Sequence, residues 1–505
     1  MGTVGDLSSI WAELFLEGNR PRKILPPLDW QIGEDEPKAE GLKKKFFSFI
    51  GKGMLPEGTR LPSVRQMAAS SGVSKNTVER VYAELKDEGV IAVRPGSGFW
   101  VAERPPVICP PEIGAIAAED SHVKMPITSA AKEAADALPF FRRHTSWPLS
   151  CRCSVMDIFP EKRWGAINAQ IARSPWLYTN YSDPKGYFPL REMICRNLFK
   201  YRSISAKPEN VVITNGTINT IGLVIDLILE AGQRIALESP ANNLISSLIR
   251  YHGKKIQWLK SDSEGVIPEA GNISALLVTP SIQVPAGIRM SLARREEVLS
   301  VCRNKGVWLI ENDFDTEFGL LNDSLPAIRS LPGAEDCTIY SGTFSSIIFP
   351  GIRIGYAVVP ETLADALAGS RFLNDRFSSE SRQAALAEFI RSGEYETHVR
   401  KVATVFNQRR EFLINLLKKK ADRWGHVSSN AIGSHITFSL LENSISDKAI
   451  AAKAFERKHE FIACSSFDGD YRINGLMLGF GAFPTPTIAE SVELLISILK
   501  DSIRA

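Results

Sequence analysis

Six short apolar runs lie between residues 210 and 360, and most of them stop in small, polar or turn-forming residues: NVVITNG at 210–216, RIALESP at 234–240, SALLVTPS at 274–281, VWLIENDFD at 307–315, CTIYSGTFS at 337–345 and IGYAVVP at 354–360. The runs are too continuous for strands with one face in water, so they read as strands buried on both faces. Helical stretches separate them, and the alternation predicts a mostly parallel sheet with helices on both sides. In such sheets ligands bind beyond the carboxyl ends of the strands. The functional residues of this half are therefore expected in the loops that follow the runs.

At 505 residues the chain is too long for one ordinary core, and two or three domains are expected. A hydrophobic content of 44%, a charged content of 23% and a mean hydropathy of −0.07 describe a soluble globular protein. No apolar run approaches the roughly 20 residues of a membrane span. The opening MGTVGDLSSIWAELF lacks the marks of a signal peptide, so the cytoplasm is the expected compartment. Seven cysteines without a CxxC suit structural thiols. Cys151 and Cys153 have no further ligand at metal spacing nearby, so no metal is expected.

The net charge of +3 is unevenly spread. Residues 41–105 hold eleven Lys and Arg against six Asp and Glu, which leaves the rest of the chain slightly acidic. A basic segment on a near-neutral body suggests a nucleic-acid-binding module. Within GTRLPSVRQMAASSGVSKNTVERVYAELKDEGVIAVRPGSGFWVAE, Ser63 caps a short helix with Val64, Met67 and Ala68 on one face, ending before Gly72. Ser74 caps a second helix in which Val78, Val81, Tyr82 and Leu85 follow helical spacing, leaving Lys75, Asn76 and Thr77 in an exposed first turn. Short polar side chains and a lysine there suit base edges and phosphates in a major groove. IAVRPGSGFWVAE then reads as a hairpin around a Pro-Gly-Ser-Gly turn, so the whole is a winged helix-turn-helix.

This segment resembles the DNA-binding domain of GntR-family transcription regulators, whose G-x-x-LPS-x-R and GVS-x-x-TV patterns and glycine-rich wing it matches. The resemblance implies double-stranded DNA as partner. Arg65, Ser74, Lys75, Asn76 and Thr77 would face it, with Arg94, Gly96 and Gly98 in the wing. Glu79 followed by Arg80 departs from relatives that place an arginine directly after the TV pair. The expected organisation is an N-terminal extension at 1–40, the winged module at 41–103, a linker at 104–145 with a short helix near 130–137, and a body at 146–505.

The body resembles fold type I pyridoxal-phosphate aminotransferases, and the pairing of the two resembles the MocR-like subfamily of GntR regulators. YSDPKGYFPLREMI at 181–194, TNGT at 214–217, ESP at 238–240, TPSIQVPAG at 279–287, ENDFDTEF at 311–318 and GTFSSIIFPGIRIGY at 342–356 carry the likeness. In that family a lysine follows GTFS and forms the Schiff base with the cofactor; here Ser346 stands there, and no lysine occurs between Lys305 and Lys401. A hydroxyl cannot form an imine. Asn312 occupies the place of the aspartate that pairs with the pyridinium, Phe314 that of a tyrosine bonding the phenolic oxygen, and Asn242 that of the stacking aromatic. Met477 falls where relatives often carry an arginine for the substrate carboxylate.

The groups that would hold a phosphate persist by the same resemblance: Thr217, Thr343, Ser345 and Arg353, with Tyr181 reaching in from a partner subunit. The expected function is a homodimeric DNA-binding regulator, not an enzyme, whose body takes a noncovalent, small anionic effector without bound pyridoxal phosphate. The alternatives are a working pyridoxal-phosphate aminotransferase or a regulator that senses the cofactor noncovalently, and a scaffold with no ligand.

Overall fold

The computed structural model describes residues 28–32, 37–102, 126–138, 147–151, 157–269, 271–314, 325–427, 433–442 and 444–504. The chain divides into two units, residues 1–125 and 126–505. Most of the expected N-terminal extension and linker, Cys153, and Asp315–Phe318 of the ENDFDTEF run lie outside the described residues.

The first unit consists of helices α1 (Lys38–Gly51), α2 (Val64–Ser71) and α3 (Lys75–Asp87), followed by the antiparallel strands β1 (Ile91–Arg94) and β2 (Gly98–Val101). Ser63 starts α2 with a reciprocal cap: its hydroxyl accepts from Gln66 N at 3.4 Å, and Gln66 Oε1 accepts from Ser63 N at 2.9 Å. Gly72 ends α2 at φ 66°, where a side chain would be strained. Ser74 then caps α3 through Thr77 N. The buried face of α3 is Val78, Val81, Tyr82 and Leu85, the residues whose spacing predicts it. Tyr82 meets Phe46 of α1 and Phe99 of β2 edge-on, with centroids 5.6 and 4.6 Å away, and its hydroxyl donates to Pro62 O.

In the second unit all six predicted runs are strands of one seven-stranded sheet. They are β3 (Val211–Thr214), β4 (Arg234–Glu238), β6 (Ala275–Val278), β7 (Trp308–Asn312), β8 (Thr338–Thr343) and β9 (Gly355–Val358), joined by β5 (Lys255–Leu259). The order is β3-β9-β8-β7-β6-β4-β5, with β9 antiparallel to both neighbours and every other pairing parallel. Chain order reverses inside this sheet, and strand ends there open a crevice. Helix α4 (Ser129–Ala137) opens the unit; α5 (Phe188–Arg202), α6 (Thr217–Ile228) and α7 (Asn243–Tyr251) follow.

A smaller antiparallel sheet of β10 (Gly425–Val427), β11 (His435–Leu440), β12 (Ile462–Ala463) and β13 (Gly475–Gly479), in the order β10-β11-β13-β12, forms the C-terminal lobe. Its core joins that of the large sheet's outer helices: Ile436, Phe438, Leu476 and Leu478 belong to one buried cluster with Val211, Ile213 and Phe389. The cluster couples the two lobes into one unit. Among the described residues no helix is long and apolar enough to cross a membrane, and no group of His, Cys, Asp and Glu could hold a metal ion.

Candidate functional site

A cavity of about 330 Å³ opens at the carboxyl ends of β4, β6, β7 and β8. It is walled by Leu237 and Glu238 of β4, Leu277 of β6 with Thr279 beyond it, Asn312 of β7 with Phe314, and Thr343 of β8 with Ser345 and Ser346. Seven of the eight expected ligand residues, Thr217, Asn242, Asn312, Phe314, Thr343, Ser345 and Arg353, meet here although they are spread over 137 positions. Tyr181, expected to reach the site from a partner subunit, lies outside the cavity wall of its own chain: its side chain is 80% exposed, packs edge-on against Phe377, and its hydroxyl accepts from Arg376. Met477 is buried in β13 with Ile462, Cys464 and Phe467, outside the cavity wall.

One end of the cavity is rich in donors. Gly216 precedes α6 at φ 95° and carries no side chain, so the first N–H groups of the helix, beginning at Thr217, have no side-chain cap. Arg353, itself at φ 50°, lays its guanidinium across Gly216 and donates from Nη2 to Asn215 O at 2.5 Å. Thr343 Oγ1 accepts from Ser345 N at 3.1 Å, while Ser345 Oγ and Ser346 Oγ are buried with no hydrogen-bond partner among the described residues. A helix start, an arginine and free hydroxyls make an anion cradle.

The other end sets apolar side chains such as Leu237 and Leu277 beside two amides and a buried carboxyl. Asn312 is 3% exposed, and its Oδ1 has no hydrogen-bond partner among the described residues. Asn242 uses its own Oδ1 to cap α7, accepting from Leu244 N at 2.9 Å. Glu238 was not singled out from sequence, yet its carboxylate, 5% exposed, lies on the wall and accepts from Thr279 Oγ1 at 2.5 Å and Thr279 N at 3.3 Å. Burial pushes it up to about 7, against the opposing pull of the Thr279 bonds. The signal that could have found it is its place as the last residue of a buried strand in an open α/β sheet.

Pyridoxal phosphate fits this cavity only in part. Its phosphate would find the cradle, but among the described residues lining the cavity Arg353 is the one cation and no lysine is present. The described lining supplies no imine-forming amine, and no covalent chemistry through the cofactor follows from these residues.

In the first unit most of the residues expected at DNA reach solvent. Arg65, Ser74, Lys75, Asn76 and Arg94 are exposed, and Thr77 is half-buried with its hydroxyl 2.8 Å from Ser74 Oγ. Arg94 stacks on Trp100 at 4.7 Å, across a turn in which Gly96 and Gly98 have φ of 72° and 88°. Arg80 pairs with Glu84 at 3.8 Å on the same helix.

A winged helix-turn-helix followed by a fold type I aminotransferase body defines a class of DNA-binding regulator of the GntR/MocR type. The chain belongs to the aminotransferase class I and II family, which it matches over residues 162–474, and residues 48–101 match the bacterial regulatory proteins of the gntR family. It is 28% identical to the probable rhizopine catabolism regulatory protein MocR of Rhizobium meliloti, over 91% of this chain and 93% of the relative. It is 26% identical to the HTH-type pyridoxine biosynthesis transcriptional regulator PdxR of Corynebacterium glutamicum, over 88% and 92%. Among solved structures, the α-aminoadipate aminotransferase LysN of Thermus thermophilus superposes with a TM-score of 0.67 at 21% identity, covering 75% of this chain and 98% of that one. The kynurenine aminotransferase of Pyrococcus horikoshii does so with 0.65 at 21%, covering 76% and 96%. At these identities the structures establish the fold.

Proposed function

We propose that the protein regulates transcription as a homodimer, reading DNA through α3 and its wing, while the aminotransferase-like body senses a small effector noncovalently and catalyses no transamination. The observation that carries this reading is Ser346: its hydroxyl stands on the cavity wall where the sequence resemblance puts the family's Schiff-base lysine, and no lysine lines the cavity among the described residues. Asn312 and Phe314 support it, because neither an amide nor a phenyl ring can take over the roles of the aspartate and tyrosine they replace. The relatives named as transcriptional regulators favour the same conclusion.

The retained cradle favours an effector that bears a phosphate or carboxylate, held by Arg353, Thr217 and Thr343. Such a ligand acts by preferring one DNA-binding state of the dimer, and about 1 to 3 kcal/mol of preference is sufficient to switch it. The test is reduction with borohydride after incubation with pyridoxal phosphate, followed by peptide mass mapping. No adduct on any single lysine is expected, and Ser346→Lys alone should restore little. A stoichiometric adduct at one lysine in the wild-type chain would overturn the reading.

A further inference from the structure

Helix α4 is the first described element of the second unit, and residues 103–125 separate it from the winged module. None of its residues is fully buried. Its half-buried residues Ala130, Glu133 and Ala137 are spaced three and four apart, so they form one face, and this face packs against α7. Two alanines hold a helix weakly, and Glu133 adds the polar anchor: Arg250 Nε, at the end of α7, donates to Glu133 Oε1 at 3.0 Å.

The same guanidinium reaches elsewhere. Arg250 Nη2 donates to Asp468 Oδ2 at 3.0 Å, and Asp468 Oδ2 also accepts from Ser246 Oγ in α7. The Asp468 backbone N donates to Asn243 Oδ1 at 2.7 Å, and its carbonyl accepts from Ala241 N at 2.8 Å. Residues 240–242 in turn form part of the cavity wall. A continuous set of bonds therefore runs from the cavity wall, through Asp468 of the C-terminal lobe, to the arginine that anchors α4.

We propose that α4 is a releasable latch, held by an Arg250 whose position depends on Asp468 and on the cavity wall, so that filling the cavity tightens the hold on the segment leading to the DNA-binding unit. The part of this concerning the cavity rests on the effector reading above; the bonding between Asp468, Arg250 and α4 does not. A ligand that contacts 240–242 restricts that segment, and an ordered segment holds Asp468 and Arg250 in place.

Amide hydrogen exchange on the full-length chain tests both parts. Glu133→Gln removes the charge of the anchor and lies on an exposed helix, so it weakens the hold on Arg250 and leaves the fold intact. Asp468→Asn removes the charge of the second holder of Arg250 without touching α4. Both should speed exchange in 129–137 about threefold, the size expected for a partly exposed ion pair, with the amides of α6 unchanged. Faster exchange in Glu133→Gln but not in Asp468→Asn would overturn the relay. Pyridoxine 5′-phosphate, which keeps ring and phosphate but has no aldehyde, serves as the cavity probe. Binding detected by calorimetry should slow exchange in 129–137 at least twofold in the wild type, and binding with no such change would overturn the coupling. If the probe does not bind, the phosphate-bearing effector loses its support, and the two variants alone decide the latch.

Discussion

Arg202 Nη2 and Asp313 Oδ2 lie 2.5 Å apart with side chains only 6% and 0% exposed, directly behind the cavity. Asn312 and Phe314 face the cavity while Asp313, between them, faces the opposite way, as alternation along an extended chain requires. Tyr340 and Ser281 donate to the same carboxylate, which locks the end of β7 in register. Removing one partner strands a buried charge, so Arg202→Met should cost about 3 to 5 kcal/mol in urea unfolding. Replacing both partners by apolar residues should recover much of that loss.

DNA binding is expected to depend on the exposed start of α3. Lys75→Ala and Arg65→Ala should each weaken operator binding by about 1 to 3 kcal/mol where the contact is to a base edge, and should reduce the salt slope by about one where it is to phosphate. Arg80→Ala should change binding far less, because Arg80 is engaged with Glu84. A salt titration of all three variants separates these outcomes.

Gly216→Ala tests the anion cradle without removing a charge. A methyl group at Gly216 would sit 2.9 Å from Arg353 Nη2 and 3.2 Å from its Cζ, at a φ of 95° that side chains rarely adopt. The variant should lose about 1 to 3 kcal/mol of stability. It should also bind pyridoxine 5′-phosphate at least tenfold more weakly than the wild type in calorimetry, as should Arg353→Ala.

Glu238 makes stability depend on pH. Its folded value of about 7 lies above the ordinary 4.5, so between those values the folded chain holds a proton that the unfolded chain has released. Stability from this group is complete below about pH 4.5 and falls as pH rises to 7, by on the order of 3 kcal/mol. His435, which burial lowers to about 4, acts in the opposite direction and is common to both proteins. The difference in urea midpoint between Glu238→Gln and the wild type should therefore grow in favour of the variant from pH 4.5 to 7.

Much of this protein was legible as a string. The capping serines Ser63 and Ser74, the face of α3 and the hairpin turn depend on neighbours within a few positions, so local spacing specified them. The six strand runs were equally plain, because burial on both faces demands unbroken apolar residues. The chemical identity of Ser346, Asn312 and Phe314 is a property of the sequence itself. Other features required the folded chain. That Thr217, Asn312 and Arg353 share one cavity follows from strand order, which is set by non-local pairing. That Glu238 is a cavity residue with a raised carboxyl, and that Arg250 ties α4 to Asp468, were invisible beforehand, because a side chain's protonation and partners depend on which distant groups exclude water around it.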